Sequence, residues 1–247
     1  MKRMSRAIAW CSAALALLCG AAIGQTADKS GPNPATTLAA AKAASGGTAW
    51  DSLSSLHTLV ALRAGGYTGE AERWSEISTG RSYLRFELGP MTGALGFDGK
   101  VAWTQEPSGQ TRVLDVDSDA ELAVNAAYRD QLAFWYPTRH EASIVYKARL
   151  PADGAMFDVI AITPKGGREF EMWINVDTRM IERLVEHEAI ATRTEIYMDW
   201  RDVQGVKIPF RVRASRGDPK ADEIVVIERI EFDGPLAGVT FSRPAPP

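Results

Sequence analysis

From His57 onward, apolar and polar positions alternate with a period of two. In the run starting at Ser82, residues Ser82, Leu84, Phe86 and Leu88 share one face, and Tyr83, Arg85 and Glu87 share the other. The run at Glu169 sets Phe170, Met172, Ile174 and Val176 against Glu169, Glu171, Trp173 and Asn175. The run at Val206 sets Val206, Ile208, Phe210 and Val212 against Lys207, Pro209, Arg211 and Arg213. One-sided alternation is the pattern of antiparallel strands with one wet face. Gly-containing pairs such as Gly65-Gly66, Asp98-Gly99, Ser108-Gly109 and Gln204-Gly205 fall between the runs and supply the positive φ that tight hairpins need. The spacing predicts about eleven or twelve strands in a meander.

Two segments break the alternation. Thr37 to Ala44 is Ala-rich and ends at Gly46-Gly47, which predicts an N-terminal helix followed by a short helical turn. Between Ser118 and Pro137, residues Leu122, Ala126, Tyr128, Arg129, Leu132 and Ala133 recur at helical spacing, with Ser118 and Glu121 as a capping box. This predicts one inserted helix of about four turns. With no internal repeat and no linker after residue 36, the pattern is that of one domain over residues 37–235, followed by a Pro-rich tail, 236–247.

The N-terminus changes the compartment. Lys2, Arg3 and Arg6 precede an apolar core from Ile8 to Leu18, and Ala22-Ile23-Gly24 offers small residues for cleavage, so residues 1–24 read as a secretory signal. Residues 25–36 are polar with Gly and Pro and read as a disordered leader. Lipid anchoring at Cys19 is disfavoured by Leu18, where a small residue is wanted. Cys11 and Cys19 both lie in the signal, so the mature chain carries no disulfide and no thiolate metal site. The full chain has 28 basic and 31 acidic residues, and the signal takes three basic ones and no acids. Without a basic run, nucleic acid is not an expected partner. Without a second long apolar run, no transmembrane segment is expected in the mature chain.

Reaction signatures are missing. His57, His140 and His187 have no histidine three to five residues away, so zinc spacing is absent. His187 sits between Glu186 and Glu188, and on a surface strand it points away from both. Asp115, Asp117 and Asp119 mimic a calcium loop, but Ala120 and Ala126 stand where Gly and Glu are required. There is no nucleophile elbow, phosphate loop or dinucleotide fingerprint, so neither catalysis nor a cofactor is expected. A carboxylate hydrolase using Asp98 with Glu106, or His140 with Glu141, is the less favoured alternative. The tryptophans and phenylalanines along the chain serve either as plain core or as the lining of an apolar hollow.

Three stretches, "AKAASGGTAWDSLSSLHTL", "LGFDGKVAWTQEPSGQTR" and "YMDWRDVQGVKIPFRV", resemble periplasmic proteins of the outer-membrane lipoprotein-sorting (Lol carrier-like) superfamily. The resemblance implies a mainly β fold: a single half-open antiparallel β-barrel of about eleven strands whose concave face is covered by an N-terminal helix and the inserted helix. It also implies a periplasmic, non-catalytic carrier for an apolar, acyl or lipid-like ligand, with a periplasmic or outer-membrane protein as a further partner. Leu84, Phe86, Trp103, Phe170, Met172, Ile196 and Met198 are the expected cavity wall. The alternative is an interaction module with a collapsed core and no cavity. The middle stretch also resembles the N-terminal module of longer bacterial proteins with a retropepsin-like protease domain. No Asp-Thr-Gly is present, so the chain reads either as that module alone or as the front of a longer protein.

Overall fold

A computed structural model describes residues 31–115, 117–188, 191–236 and 238–245. The signal and the first half of the leader lie outside the described residues, as does the side chain of Ser118 in the expected capping box.

The first half of the domain holds β1 (Ser55–Ala64), β2 (Tyr67–Glu76), β3 (Ser82–Leu88), β4 (Met91–Phe97), β5 (Ala102–Gln105) and β6 (Thr111–Val113). The second half holds β7 (Ala142–Ala152), β8 (Ala155–Pro164), β9 (Phe170–Asn175), β10 (Ile181–His187), β11 (Thr192–Val203), β12 (Val206–Ser215) and β13 (Glu223–Phe232). All pair antiparallel in one sheet of order β6-β5-β4-β3-β2-β1-β13-β12-β11-β10-β9-β8-β7. The sheet does not close: β6 and β7 each have a single neighbour. The half-open architecture is as expected, with thirteen strands among the described residues rather than about eleven. Strands as short as β5 and β6 carry too few residues to show a period.

Strands β6 and β7 are consecutive in the chain yet occupy opposite edges. The connection therefore crosses the whole sheet, and α2 (Asp117–Asp130) makes the crossing on the concave face. The N-terminal helix α1 spans Pro34–Ala44, starting three residues before the expected Thr37. Asn33 caps it by accepting from the Ala35 N–H at 2.9 Å, and Pro34 presets the first turn. Beneath these helices lie two apolar clusters. One joins Leu38, Tyr128, Phe134, Ile160, Phe170, Met172, Ile174 and Leu184. The other joins Trp50, Leu53, Val206, Ile208, Phe210 and Phe232. The concave side chains are those that alternation assigned to the buried face of β3, β9 and β12.

The opposite face carries an aromatic ladder. His57 stacks on Trp74 at 4.8 Å, Trp74 on Tyr83 at 5.7 Å, and Tyr83 approaches Trp103 at 6.0 Å. Gly96 lies between Tyr83 and Trp103 in register, and a Cβ there would fall 2.3 Å from the Trp103 ring. The tail closes over the Trp103 end of this ladder. Trp103 is fully buried and donates its indole N–H to the Phe241 carbonyl at 2.8 Å. Arg81 covers the Phe241 ring at 4.9 Å, and Arg243 donates to the Thr111 hydroxyl at 3.0 Å. The first part of the Pro-rich tail is thus packed against the outer face. Gly96→Ala is expected to destabilise the protein by about 1–3 kcal/mol through overpacking against Trp103, read as a lowered urea midpoint at unchanged slope.

Candidate ligand-binding hollow

Local chemistry sets the helical cover in place. Gly46, at φ 135°, ends the approach from α1, and Gly47 opens a 3-10 turn, Gly47–Ser52. A Cβ on Gly46 would meet the Gly205 carbonyl at 2.6 Å, so only glycine lets α1 seat against the β11–β12 hairpin. There Lys207 donates its backbone N–H to the Ser45 carbonyl at 2.8 Å. Trp50 donates its indole N–H to the same carbonyl at 3.1 Å, and its ring meets Trp135 at 5.5 Å and Phe232 at 6.4 Å.

Two hollows remain between this cover and the sheet. The smaller is about 220 Å³, lined by Trp50, Leu132, Trp135, Met172, Leu184 and Ile208. The larger is about 480 Å³ and lies between α2 and the first strands. Its floor is Leu84, Leu95, Phe97 and Ala102, and its roof is Leu122 and Ala126. The larger volume is in the range of ligand pockets, about 300–1,000 Å³, and the smaller falls below it. Leu95 is 41% exposed in this setting, an apolar surface left uncovered by the protein.

The expected wall residues separate into three groups. Leu84 lines the larger hollow and Met172 the smaller. Phe170 is fully buried, with Tyr128 at 6.1 Å and the Arg129 guanidinium at 5.3 Å from its ring. Phe86 shares the concave face beside the larger hollow, its ring above Gly93. Trp103 borders the larger hollow, but its indole lies on the outer face beneath the tail. Ile196 and Met198 also face outward, because β11 turns Glu195 and Tyr197 to the concave side. The register pairs Ile196 with Arg183 and Arg213, and Met198 with Arg211. Leu95, Phe97, Leu122 and Ala126 were not singled out as wall residues. Extending the alternation of β3 across the Gly89-Pro90 turn into β4 would have found the first two.

Beside the hollows, α2 is pinned by charge. Asn125 donates to Glu186 at 2.5 Å, Arg129 pairs with Glu186 at 3.3 Å, and Arg168 donates to Glu121 at 2.6 Å. Glu186 is buried against α2 rather than at the surface, while His187 points the other way and is exposed, as the alternation expects. On the next strand, Glu195 accepts from Tyr197 at 2.9 Å and from Arg193 at 3.1 Å. Burial pushes the Glu195 carboxyl up, but the charges of Arg129 and Arg193 with these hydrogen bonds outweigh it and hold it below its ordinary 4.5. Glu223 is held low in the same way by Arg193 and Arg216 against the opposing effect of burial.

The residue pairs considered for hydrolysis do not converge. Asp98 accepts from the Lys100 and Val101 N–H groups at 2.9 and 2.7 Å, which makes it a turn residue, while Glu106 is exposed in the next hairpin. His140 bonds to the Lys165 carbonyl at 3.0 Å, and Glu141 accepts from Lys165 Nζ at 2.8 Å on the surface.

Carboxyls held low when folded stabilise the protein fully above the unfolded value near 4.5, and that contribution is lost as pH falls through the folded value. The urea midpoint is therefore expected to be level between neutral and mildly acid pH and to fall below about pH 4.5. Glu195→Gln is expected to lower stability at neutral pH and to flatten the acid decline. An acid decline unchanged by that substitution would remove Glu195 as its source.

No family model and no curated protein matches the sequence. Among solved structures, the chain is similar to a LolA superfamily protein from Nitrosomonas europaea, with TM-score 0.57 and 14% identity over 84% of this chain and 96% of that one. A DUF1329 family protein from Desulfovibrio piger gives TM-score 0.53 and 12% identity over 84% and 93%. A domain from Vibrio parahaemolyticus, described as an outer-membrane lipoprotein-sorting protein, gives TM-score 0.52 and 10% identity over 84% and 95%. The shared property is the fold: the half-open sheet with helices on its concave face is the architecture of these Lol carrier-like structures.

Proposed function

We propose that the chain is a periplasmic, non-catalytic binding or carrier protein for an apolar ligand of acyl character, taken up between α2 and β3–β5. The observation that carries this reading is the hollow of about 480 Å³ with an apolar floor and roof. The secretory signal and the likeness to lipoprotein-sorting structures support the compartment, and a periplasmic or outer-membrane protein would receive the cargo. Leu84, Leu95 and Phe97 would cover one side of the acyl chain and Leu122 and Ala126 the other. Phe86 would extend the wall, and Met172 would be reached only by a chain passing into the smaller hollow. A second reading, an interaction module with a collapsed core, is favoured by Trp135. Its ring, 4.8 Å from Phe134 and 5.5 Å from Trp50, fills the centre of the concave side.

Burying a methylene contributes about 0.8 kcal/mol, so each added CH₂ should tighten binding about fourfold until the hollow is full. Competition of fatty acids of increasing chain length against a fluorescent acyl probe measures this. Ala126→Trp, which fills the hollow from the roof, is expected to weaken binding at least tenfold with little change in the thermal midpoint, at about 1.4 kcal/mol per decade. Affinity independent of chain length, together with no lipid retained in native mass spectrometry, would favour the collapsed module.

A further inference from the structure

The two hollows differ in the chemistry of their walls. The larger is lined mainly by leucine and alanine, among them Leu84, Leu95, Leu114 and Leu122. The smaller is lined by five aromatic side chains, Trp50, Phe134, Trp135, Tyr197 and Trp200. Met172 and Met180 add two thioethers. The rings stand at angles to one another: Trp135 is tilted 53° from Trp50 at 5.5 Å and 62° from Phe134 at 4.8 Å. A wall of this kind offers ring edges and ring faces together. An acyl chain gains only buried area from it. A flat ring also gains edge-to-face and sulfur–aromatic contacts, which depend on its own π-system.

Size and charge narrow the occupant further. An apolar cavity of about 150 Å³ is enough for benzene, and pockets for larger organic ligands begin near about 300 Å³. At about 220 Å³ the smaller hollow suits one ring with a short substituent. Its buried polar groups are almost all matched within the protein. Arg129 pairs with Glu186 at 3.3 Å, and Tyr197 donates to Glu195 at 2.9 Å. Ser45 donates its hydroxyl to the Lys42 carbonyl at 3.1 Å and accepts from the Trp50 indole at 3.1 Å. The Arg129 charge is thus already compensated, which favours a neutral ligand over an anion. Trp135 is the exception: its indole N–H is buried and has no acceptor among the described residues. A buried donor without a partner is costly, and an oxygen on a bound ring would supply the missing acceptor.

We infer that the smaller hollow is a separate binding site for a small, neutral aromatic molecule that carries one hydrogen-bond acceptor, with the Trp135 indole as its donor. An aryl ketone or aryl ester has this chemistry. The site goes beyond the acyl-binding reading and does not depend on it, since the two ligands occupy different hollows with different walls.

Fluorine NMR titration of the signal-free protein tests the site with two probes of similar shape, para-fluoroacetophenone and para-fluoroethylbenzene, which differ in the acceptor oxygen. Cyclohexyl methyl ketone, which keeps the oxygen and loses the flat ring, serves as a competitor. The aryl ketone is expected to bind saturably, and several-fold more tightly than either the aryl hydrocarbon or the cyclohexyl ketone. Trp135→Phe is expected to erase the preference for the aryl ketone over the hydrocarbon while the hydrocarbon still binds. Met180→Trp, which narrows the hollow, is expected to weaken both aryl probes at least tenfold and to leave the acyl-probe affinity of the larger hollow unchanged. Ala126→Trp, in the larger hollow, is expected to leave aryl binding as in the parent, so failure of the acyl reading leaves this test intact. Met180→Trp and the parent's own preference keep the test decisive if Trp135→Phe folds poorly. No saturable aryl binding, a ketone preference that survives Trp135→Phe, or aryl binding lost in Ala126→Trp and kept in Met180→Trp would overturn the inference.

Discussion

An open antiparallel sheet with one apolar face must cover that face with something other than itself. In this chain the connectivity decides what the cover is. Because β6 and β7 stand at opposite edges, the segment joining them has to travel the width of the concave face. Helix α2 and the turns after it are that segment, and α1 with its 3-10 turn fills what remains. Leu132 and Trp135, just past α2, pack against both apolar clusters and tie the two halves of the core together. Leu132 holds a left-handed backbone, φ 51°, which a non-glycine residue adopts only when its surroundings secure it. The strain is local and the packing it permits is shared by both clusters. The hollows follow from the same constraint: one helix of fourteen residues cannot seal thirteen strands.

How much of this was legible varied with how strongly each strand distinguishes its faces. In β3, β9 and β12 the apolar and charged positions alternate cleanly, and their concave side chains could be read from sequence. In β11 both faces carry large apolar groups, Ile196 and Met198 on one and Tyr197 on the other, so hydrophobicity alone could not orient the strand. A left-handed residue, Asp199 at φ 55°, interrupts it as well. Trp103 stands in a four-residue strand, too short for a period, and its burial is provided by Phe241, 138 positions later. Glu186 reads as a surface residue because its partners Asn125 and Arg129 lie in a distant helix. The tail reads as a linker because of its prolines. The one contrary signal is Phe241, the single aromatic of the tail.

The two long sides of α2 are held by different physics, and this bears on how a ligand would enter. Glu121, Asn125 and Arg129 recur at i, i+4 and face β9 and β10, where directional, charge-assisted hydrogen bonds fix them. Leu122 and Ala126, on the neighbouring stripe, face the larger hollow with apolar surface only. At the C-terminal end of that side, Asp130 is locked to Arg73. At the N-terminal end the corresponding pair, Asp119 with Arg112, is 3.9 Å apart, with both side chains largely exposed. Exposed pairs at that separation contribute little. The side of α2 over the hollow is therefore held firmly at one end and weakly at the other. Among the described residues, no buried hydrogen bond ties the N-terminal half of the helix to β4 and β5, where it covers Leu84, Leu95 and Phe97. For an acyl ligand bound as proposed, entry past Arg112 and Asp119 would disrupt fewer contacts than entry through the tightly capped region around Trp50 and Trp135.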